Sequence, residues 1–366
     1  MQRKLILSTW ALVAAAIVAV VAIGLRVDSN SAQADTELHG PPEAEVTAEG
    51  DWKVVHLTSS RFQWQVRDDE DPIEVMGYNE QIPGPTFRFK PGDKLRVYYR
   101  NDLDEPSTVH WHGLIVPNSM DGVGLLTQPA VMPGETFVYE FEIPNTPGTF
   151  MYHAHMNDHE QVAMGMSGAF IVEPRDKPDR SYDADYVVVL NDIRGNFLVN
   201  GKEFPNIDPW FVRKGDEIRV RLINISPDAI HPMHFHGHFT REIARDGTDI
   251  GNGDEAKVEN TVLVAPGQTV DVSVKMDAPG RGAWLFHCHV LSHVAGPEGT
   301  SLNLALANAG MVIPVVYEDS LNFDQLVAEL TKSIESLKEL RRQRIAAGVT
   351  TDAVTGTTGH AAEGTH

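Results

Sequence analysis

The residues of this chain best suited to chemistry are histidines, and most of its sixteen histidines lie in four short clusters. Each cluster contains a pair separated by one residue, namely His110 with His112, His153 with His155, His234 with His236, and His287 with His289. On a β-strand, residues i and i+2 point to the same face, so each pair aims two imidazoles in one direction. Neutral imidazole binds copper, zinc and iron, and eight converging imidazoles exceed what one tetrahedral ion needs. The pattern predicts a cluster of several metal ions.

The single cysteine, Cys288, lies between His287 and His289 and therefore points to the opposite face of the same strand. His231 and His293, from the same clusters, are the partners available on that face. Two histidines, a thiolate and a weak axial ligand form a blue-copper electron-transfer site. A buried inert thiol is the alternative for a lone cysteine. If Cys288 belongs to a blue-copper site, one strand would carry an electron-accepting copper on one face and ligands of the metal cluster on the other.

An internal repeat predicts the elements that position these residues. Three segments recur in order: Lys90–Val97 matches Arg213–Val220, Pro133–Thr136 matches Pro266–Thr269, and Gly148–His153 matches Gly282–His287. Each copy contains short runs that alternate apolar and polar residues, as strands do. The repeat predicts two β-sandwiches of roughly 130 residues each. We expect them at residues 50–176 and 181–317, and we find no helical periodicity between residues 50 and 317.

After Tyr317 the pattern changes, because apolar residues from Phe323 to Leu340 recur at helical spacing. This spacing predicts a C-terminal helix over residues 320–347. The helix would pack on its own subunit or pair with a second subunit as a short coiled coil. Residues 348–366 are rich in Gly, Thr and Ala and are predicted to be disordered.

The N-terminus and the net charge bear on location and partners. Arg3 and Lys4 precede an apolar run from Leu5 to Leu25, and Ala32-Gln33-Ala34 follows. Residues 1–34 are therefore typical of a signal peptide, and the length of the run equally suits an uncleaved membrane anchor. Both alternatives predict export of the folded part. The formal net charge of -21 argues against nucleic acid as a partner, because phosphate binding needs a basic surface.

With its clusters in this order, the chain resembles the multicopper oxidase family, whose signature is H-x-H-G, H-x-H, H-x-x-H-x-H and H-C-H-x-x-x-H. The resemblance covers about residues 50–317, and the two repeats make the chain similar to the two-domain, or small, laccases. It implies an all-β fold of two cupredoxin-like Greek-key β-sandwiches. It also implies that four one-electron oxidations of a phenol, an aromatic amine or a low-valent metal ion are coupled to the reduction of O2 to water.

The resemblance assigns four coppers per chain by position. His110 and His234 would hold the type 2 copper, while His231, Cys288 and His293 would hold the type 1 copper. The type 3 pair would be held by the other paired histidines, namely His112, His153, His155, His236, His287 and His289. Cys288 would pass electrons from the type 1 site to the other three coppers.

The sequence departs from the family at two positions. The family's axial methionine lies ten residues after the cysteine, and here that position is Glu298. Met311, in Gly310-Met311-Val312, resembles the usual end of the motif with a loop of about 13 residues inserted. Met311 is therefore the favoured axial ligand, and the alternatives are Glu298 or no axial ligand. Val294 stands where many bacterial members carry a proton-relaying glutamate, which leaves Asp121 as the acidic residue for that work.

The first repeat resembles a domain that has lost its type 1 site. Ala154 stands where Cys288 stands in the second repeat, and His159, Met164 and Met166 would be remnants packed as ordinary side chains. In two-domain relatives, histidines of the two repeats meet between neighbouring subunits of a closed ring. The resemblance therefore implies a homotrimer with a trinuclear site at each subunit interface.

Other functions fit the pattern less well. A copper nitrite reductase pairs two similar domains but needs only a mononuclear catalytic copper. A copper electron carrier needs one blue site, which would leave eight histidines without a role. A metallo-oxidase acting on cuprous, ferrous or manganous ions is a substrate variant of the leading hypothesis.

Overall fold

The computed structural model describes residues 38–144, 146–176, 181–251, 257–280, 282–294, 310–320 and 322–347. Three predicted features lie outside these residues: the N-terminal segment 1–34, the tail 348–366, and the alternative axial ligand Glu298.

The first half of the described chain forms two β-sheets. Its strands are β1 Leu38–His39, β2 Thr47–Glu49, β3 Trp52–Trp64, β4 Ile73–Tyr78, β5 Gly84–Phe89, β6 Lys94–Asn101, β7 Val109–His110, β8 Thr136–Glu142, β9 Gly148–Ala154 and β10 Ser167–Val172. One sheet has the order β2-β3-β6-β8 with β4 paired to β3, and the other has the order β5-β10-β9-β7. Strand β7 is short and places His110 at the edge of the second sheet.

Period-two alternation along the strands builds the core of this half. Strand β6 buries Leu95, Val97 and Tyr99 completely, whereas the residues between them are only partly buried. Trp111 is also fully buried and meets Phe87 edge to face, with ring centroids 5.8 Å apart. Because Trp111 separates His110 from His112, its burial anchors the short segment that carries both histidines.

The second half repeats this architecture. Its strands are β11 Ala184–Ile193, β12 Asn196–Val199, β13 Trp210–Val212, β14 Glu217–Asn224, β15 His231–Phe235, β16 Thr240–Arg245, β17 Thr248–Asp249, β18 Val258–Glu259, β19 Thr261–Val264, β20 Thr269–Lys275, β21 Ala283–Cys288 and β22 Val312–Tyr317. One sheet has the order β1-β11-β14-β20-β16-β17, with β12 on β11 and β18 on β16. The other has the order β13-β22-β21-β15-β19. The predicted all-β architecture is confirmed, while the domain limits 50–176 and 181–317 stay a prediction.

Strand β1 was not anticipated from the sequence. It runs parallel to β11, with Leu38 opposite Asp185, and so joins a sheet of the second half although it precedes the first. Two residues of a strand carry no period that a sequence pattern could reveal.

The described residues also include two α-helices, α1 Asp158–Ala163 and α2 Phe323–Ala346. Helix α2 confirms the predicted C-terminal helix and packs on its own chain. Its Phe323 meets Phe211 edge to face, Ile334 packs on the core of the second half, and Lys338 pairs with Asp68 at 2.7 Å. Helix α1 contradicts the expectation that the sandwiches contain no helix, because a six-residue helix is too short to show a period. Among the described residues, no helix has the length and apolar character needed to cross a membrane.

A buried arginine joins the two halves. Arg221 on β14 makes two parallel hydrogen bonds to Asp185, at 2.9 and 2.8 Å, and a third to Thr149 Oγ1 on β9 at 3.0 Å. Thr269 of the second half also donates to the Thr149 carbonyl at 2.8 Å. A fully buried guanidinium needs such a bidentate partner, so this cluster fixes β9, which carries His153, against the second half.

Candidate metal centres

Four histidines gather at one end of the first half. His110 on β7 lies directly across from His153 on β9, and their ring centroids are 5.4 Å apart. His112 and His155 follow two residues later in each segment, with His112 5.4 Å from His153 and His155 5.3 Å from His110. We call His110, His112, His153 and His155 the first quartet. All four side chains are half-buried.

The second half repeats this arrangement in the same register. His234 on β15 lies across from His287 on β21, and His236 Nε2 lies 2.9 Å from His287 Nε2. The ring of His289 is 5.6 Å from that of His234. We call His234, His236, His287 and His289 the second quartet. His289 is exposed and the other three are half-buried.

The two quartets are separate groups. All eight histidines belong to the described residues, and ring contacts connect members within each quartet but not members of different quartets. We expected eight imidazoles to converge. Within one chain they form two separate sets of four.

Backbone carbonyls orient four of these imidazoles. The Nδ1 atoms of His110 and His153 lie 2.7 and 2.9 Å from the carbonyls of Asp121 and Ala154. In the second quartet, His234 and His287 make the corresponding contacts at 2.6 and 2.7 Å. A carbonyl only accepts, so Nδ1 carries the proton and Nε2 is left with its lone pair for a metal ion.

The opposite face of β21 carries a different site. Cys288 Sγ lies 3.7 Å from His231 Nδ1 and 3.5 Å from His293 Nδ1, and these two nitrogens are 3.3 Å apart. All three residues are buried. Burial raises the pKa of the Cys288 thiol to about 11 and lowers the pKa of His293 to about 4. One thiol and two neutral imidazoles, with their donor atoms facing each other, form a compact and water-poor ligand set.

Two residues that sequence reasoning missed hold these imidazoles. Ser226 Oγ lies 2.8 Å from the outer nitrogen of His231, Nε2, which leaves Nδ1 directed at Cys288. Phe197 stacks on His293 with ring centroids 3.8 Å apart. Neither residue belongs to a histidine cluster, and only the fold brings them to the site.

Met311 lies beside this ligand set. The backbone N–H of Cys288 donates to the Met311 carbonyl at 3.1 Å, and the Met311 N–H donates to the His293 carbonyl at 3.1 Å. Met311 is fully buried. Gly310 precedes it with φ of 71°, and a Cβ there would lie 2.0 Å from the His293 carbonyl oxygen. The chain therefore needs glycine at position 310 to bring Met311 back to Cys288.

The same backbone pattern occurs in the first half and shows what replaces the ligands there. The N–H of Ala154 donates to the Met166 carbonyl at 3.1 Å, and the Met166 N–H donates to the Gln161 carbonyl at 3.0 Å. Gln161 thus takes the place of His293, and its Oε1 accepts a hydrogen bond from Ser107 at 2.8 Å. The expectation that His159 packs as a remnant is wrong, because helix α1 turns its side chain outward and leaves it 81% exposed.

Asp121 and His238 lie next to the quartets. The Asp121 carboxylate is 3.6 Å from His110 Nδ1, in addition to the contact made by its carbonyl. His238 is buried, with Nδ1 2.9 Å from the His236 carbonyl and Nε2 2.7 Å from Tyr317 Oη. Asp121 and His238 are not members of the quartets, but each contacts a quartet histidine and helps to hold it in place.

Two family models match the chain, and both are described as multicopper oxidase. They cover residues 61–177 and 180–301, the parts that carry the first and the second quartet. The chain belongs to the multicopper oxidase family. Members of this family are copper-dependent oxidoreductases that use O2 and a reducing substrate.

Individual proteins resemble the chain to different extents. The blue copper oxidase of Nitrosomonas europaea is 31% identical over 77% of this chain and 93% of its own, with a TM-score of 0.63, which supports the cupredoxin-like fold. A probable nitrite reductase-hydroxylamine oxidoreductase fusion protein of Kuenenia stuttgartiensis is 29% identical over 62% of this chain and 29% of its own length. Laccase-1 of Fomitopsis schrenkii is 27% identical over 65% of this chain and 48% of its own length. The chain therefore spans less than half the length of these two curated relatives.

Proposed function

We propose that this multicopper oxidase is laccase-like: it couples four one-electron oxidations of a small reducing substrate to the reduction of O2 to water. The observation that carries this proposal is strand β21. Its Cys288 meets His231 and His293 on one face, while the two flanking residues, His287 on the strand and His289 directly after it, belong to the second quartet. A site for accepting electrons and a site for reducing oxygen are thereby linked by a single peptide bond on either side of Cys288.

Copper suits the donor sets. A buried thiol with two imidazoles is the ligand set of a blue-copper site, and imidazole quartets suit copper as well. Four coppers per chain would be bound: a type 1 copper by His231, Cys288, His293 and Met311, a type 2 copper by His110 and His234, and a type 3 pair by His112, His153, His155, His236, His287 and His289. Copper at these positions would supply one-electron redox chemistry and oxygen binding.

The protein's own residues have separate tasks in this proposal. Cys288 connects the electron-accepting site to His287 and His289 through covalent bonds. Ser226 and Phe197 hold His231 and His293 in place. Asp121, whose carboxylate lies 3.6 Å from His110 Nδ1, is the residue that would hold and deliver protons for oxygen reduction.

We further propose that three copies form a ring in which the first quartet of one subunit faces the second quartet of the next. This arrangement is supported by the separation of the quartets within one chain and by their partial exposure. It would complete each trinuclear site between subunits. Light scattering should give a trimer, and a copper-loaded, fully active monomer would overturn the arrangement.

The substrate proposed is a phenol, an aromatic amine or a low-valent metal ion, the last as the metallo-oxidase variant. Residues 1–34 support export, with either cleavage or retention as a membrane anchor. Nucleic acid is not a proposed partner, given the net charge of -21.

A nitrite reductase is the second candidate, because a relative carries that term in its name. The eight histidines of the quartets argue for the oxidase. The deciding experiment compares O2 uptake with a phenolic donor against nitrite consumption by the same copper-loaded preparation, with copper quantified per chain. Nitrite consumption without O2 uptake would overturn the oxidase proposal.

A further inference from the structure

The side chain of Phe197, on β12, lies flat against the imidazole of His293. The two ring centroids are 3.8 Å apart, and the ring planes differ by 20°. Pairs of neutral aromatic rings prefer offset or edge-to-face contacts with centroids about 4.5–7 Å apart, because the negative faces of two stacked rings repel each other. A ring that carries positive charge is instead attracted to an aromatic face. The geometry therefore suits a His293 imidazole that is positively charged, as it is when bound to a copper ion.

The internal repeat shows that the fold does not require an aromatic residue at this position. Strand β4 takes the place in the first half that β12 takes in the second. Counting along the paired strands from the equivalent residues Asn101 and Asn224 makes Met76 the counterpart of Phe197. Met76 is fully buried in the core of the first half, which has Ala154 in place of the cysteine. Of the two counterparts, the aromatic one thus lies in the half with the thiol and imidazole ligands.

Strand β12 is fixed on both sides of Phe197. Asp192 of β11 lies directly opposite Phe197 in the sheet. Leu198, the next residue along β12, points to the other face and is fully buried in a cluster with Ile82 of the first half. This packing leaves the Phe197 ring little room to move away from His293.

We propose that Phe197 acts through His293 as a positioning residue that lowers the electron affinity of the type 1 site. The inference rests on the proposed function, in which His231, Cys288 and His293 bind a type 1 copper. The copper–imidazole unit carries one more positive charge when it is oxidised than when it is reduced, and the face of the Phe197 ring attracts that charge. The oxidised state is thereby favoured. The site should therefore take electrons most readily from strongly reducing donors.

The first test replaces the ring with an aliphatic side chain of similar size, Phe197→Leu. The reduction potential is measured on the copper-loaded full chain by anaerobic redox titration of the copper–thiolate absorption. We expect the equilibrium to shift roughly 3- to 10-fold toward the reduced site, and a tenfold shift corresponds to about 59 mV for one electron. Phe197→Met serves if the leucine variant does not fold, because Met76 fills the counterpart position in the first half.

A matched control separates the charge of the ring from its shape. Pentafluorophenylalanine at position 197 has nearly the shape of phenylalanine but a positive ring face, so the potential should rise at least as much as in Phe197→Leu. Phe197→Tyr keeps the electron-rich face and should keep the potential of the wild type. If the pentafluorophenylalanine variant has the wild-type potential, only the packing of the ring matters and the proposal is overturned.

The outcomes distinguish this inference from the function on which it rests. A wild-type protein that binds copper without a copper–thiolate absorption would overturn the type 1 site, and the role of Phe197 with it. A normal absorption in Phe197→Leu together with an unchanged or lowered potential would overturn the role of Phe197 alone.

Discussion

Cys288 has a raised pKa because it is buried, so at neutral pH the metal-free protein holds a thiol and not a thiolate. The two imidazoles that face it are neutral for the same reason. A metal ion is what would make the thiolate stable in this pocket, because its charge offsets the cost of burying an anion.

Cys288→Ser should abolish the strong visible absorption of the copper–thiolate bond and the oxidation of donors, because the serine hydroxyl is a poor ligand for copper. Visible spectra and copper quantification measure this, with the loss of one copper per chain expected. The control is Ala154→Ser, which introduces serine at the equivalent position of the first half. This variant should retain both the visible absorption and the oxidation of donors. Donor oxidation that persists in Cys288→Ser would contradict the proposed electron path.

The stability of the copper-free protein should fall as the pH falls from about 6.5 to about 4. Burial lowers the pKa of His153, His287 and His293 to about 4 and that of His231 to about 3, from an ordinary value of 6.5. Within this window the unfolded chain binds more protons than the folded one, so stability is lost on acidification. Urea denaturation across the window measures the slope, which His231→Gln should make shallower. A denaturation midpoint independent of pH there would refute the prediction.

At the scale of elements, the sequence predicted the strands that carry the site and missed the short pieces around it. His287, Cys288 and His289 alternate between faces as period two requires, because that geometry is a property of one strand. Gln161 could not be recognised as the counterpart of His293. Gln161 lies in a six-residue helix that changes its spacing from Ala154. Its correspondence to His293 becomes visible only from the backbone hydrogen bonds of Met166, which the sequence does not show. Contacts between distant segments, such as Phe197 on His293, depend on the tertiary fold.

Gly310→Ala tests the turn that returns the chain to Cys288. The added methyl would collide with the His293 carbonyl, 2.0 Å from the Cβ position, in addition to the strain of a positive φ. We expect a loss of about 2–4 kcal/mol in the free energy of unfolding and a weakened copper–thiolate absorption. Gly134→Ala is the control, since Gly134 has a similar φ of 80° with open space at the Cβ position. Equal losses in the two variants, measured by urea denaturation, would contradict the role of Gly310.

At the scale of the whole molecule, each chain holds two histidine quartets that make no ring contact with each other. Subunit mixing distinguishes completion between chains from completion within one chain. His153→Ala damages the first quartet and His287→Ala the second, so each variant alone should be inactive.

Co-expression of the two variants with different tags, followed by isolation of mixed oligomers, should restore part of the O2 uptake. In a ring, the intact first quartet of a His287→Ala subunit meets the intact second quartet of a His153→Ala subunit, which also keeps its Cys288. The control is each variant co-expressed with a differently tagged copy of itself, which should stay inactive. Inactive mixed oligomers would show that the quartets do not complete each other between chains.

The hydrogen bond from Ser107 to Gln161 has a consequence for how the molecule responds to copper supply. In the first half, the buried Ser107 hydroxyl donates to Gln161 at the place that corresponds to the Cys288 site, so this place needs no ion. In the equivalent place of the second half, a thiol and two imidazoles face each other across less than 4 Å. Loss of copper should therefore increase hydrogen exchange around Cys288 in the second half more than around Ala154 in the first half, because only the Cys288 position has an ion to lose.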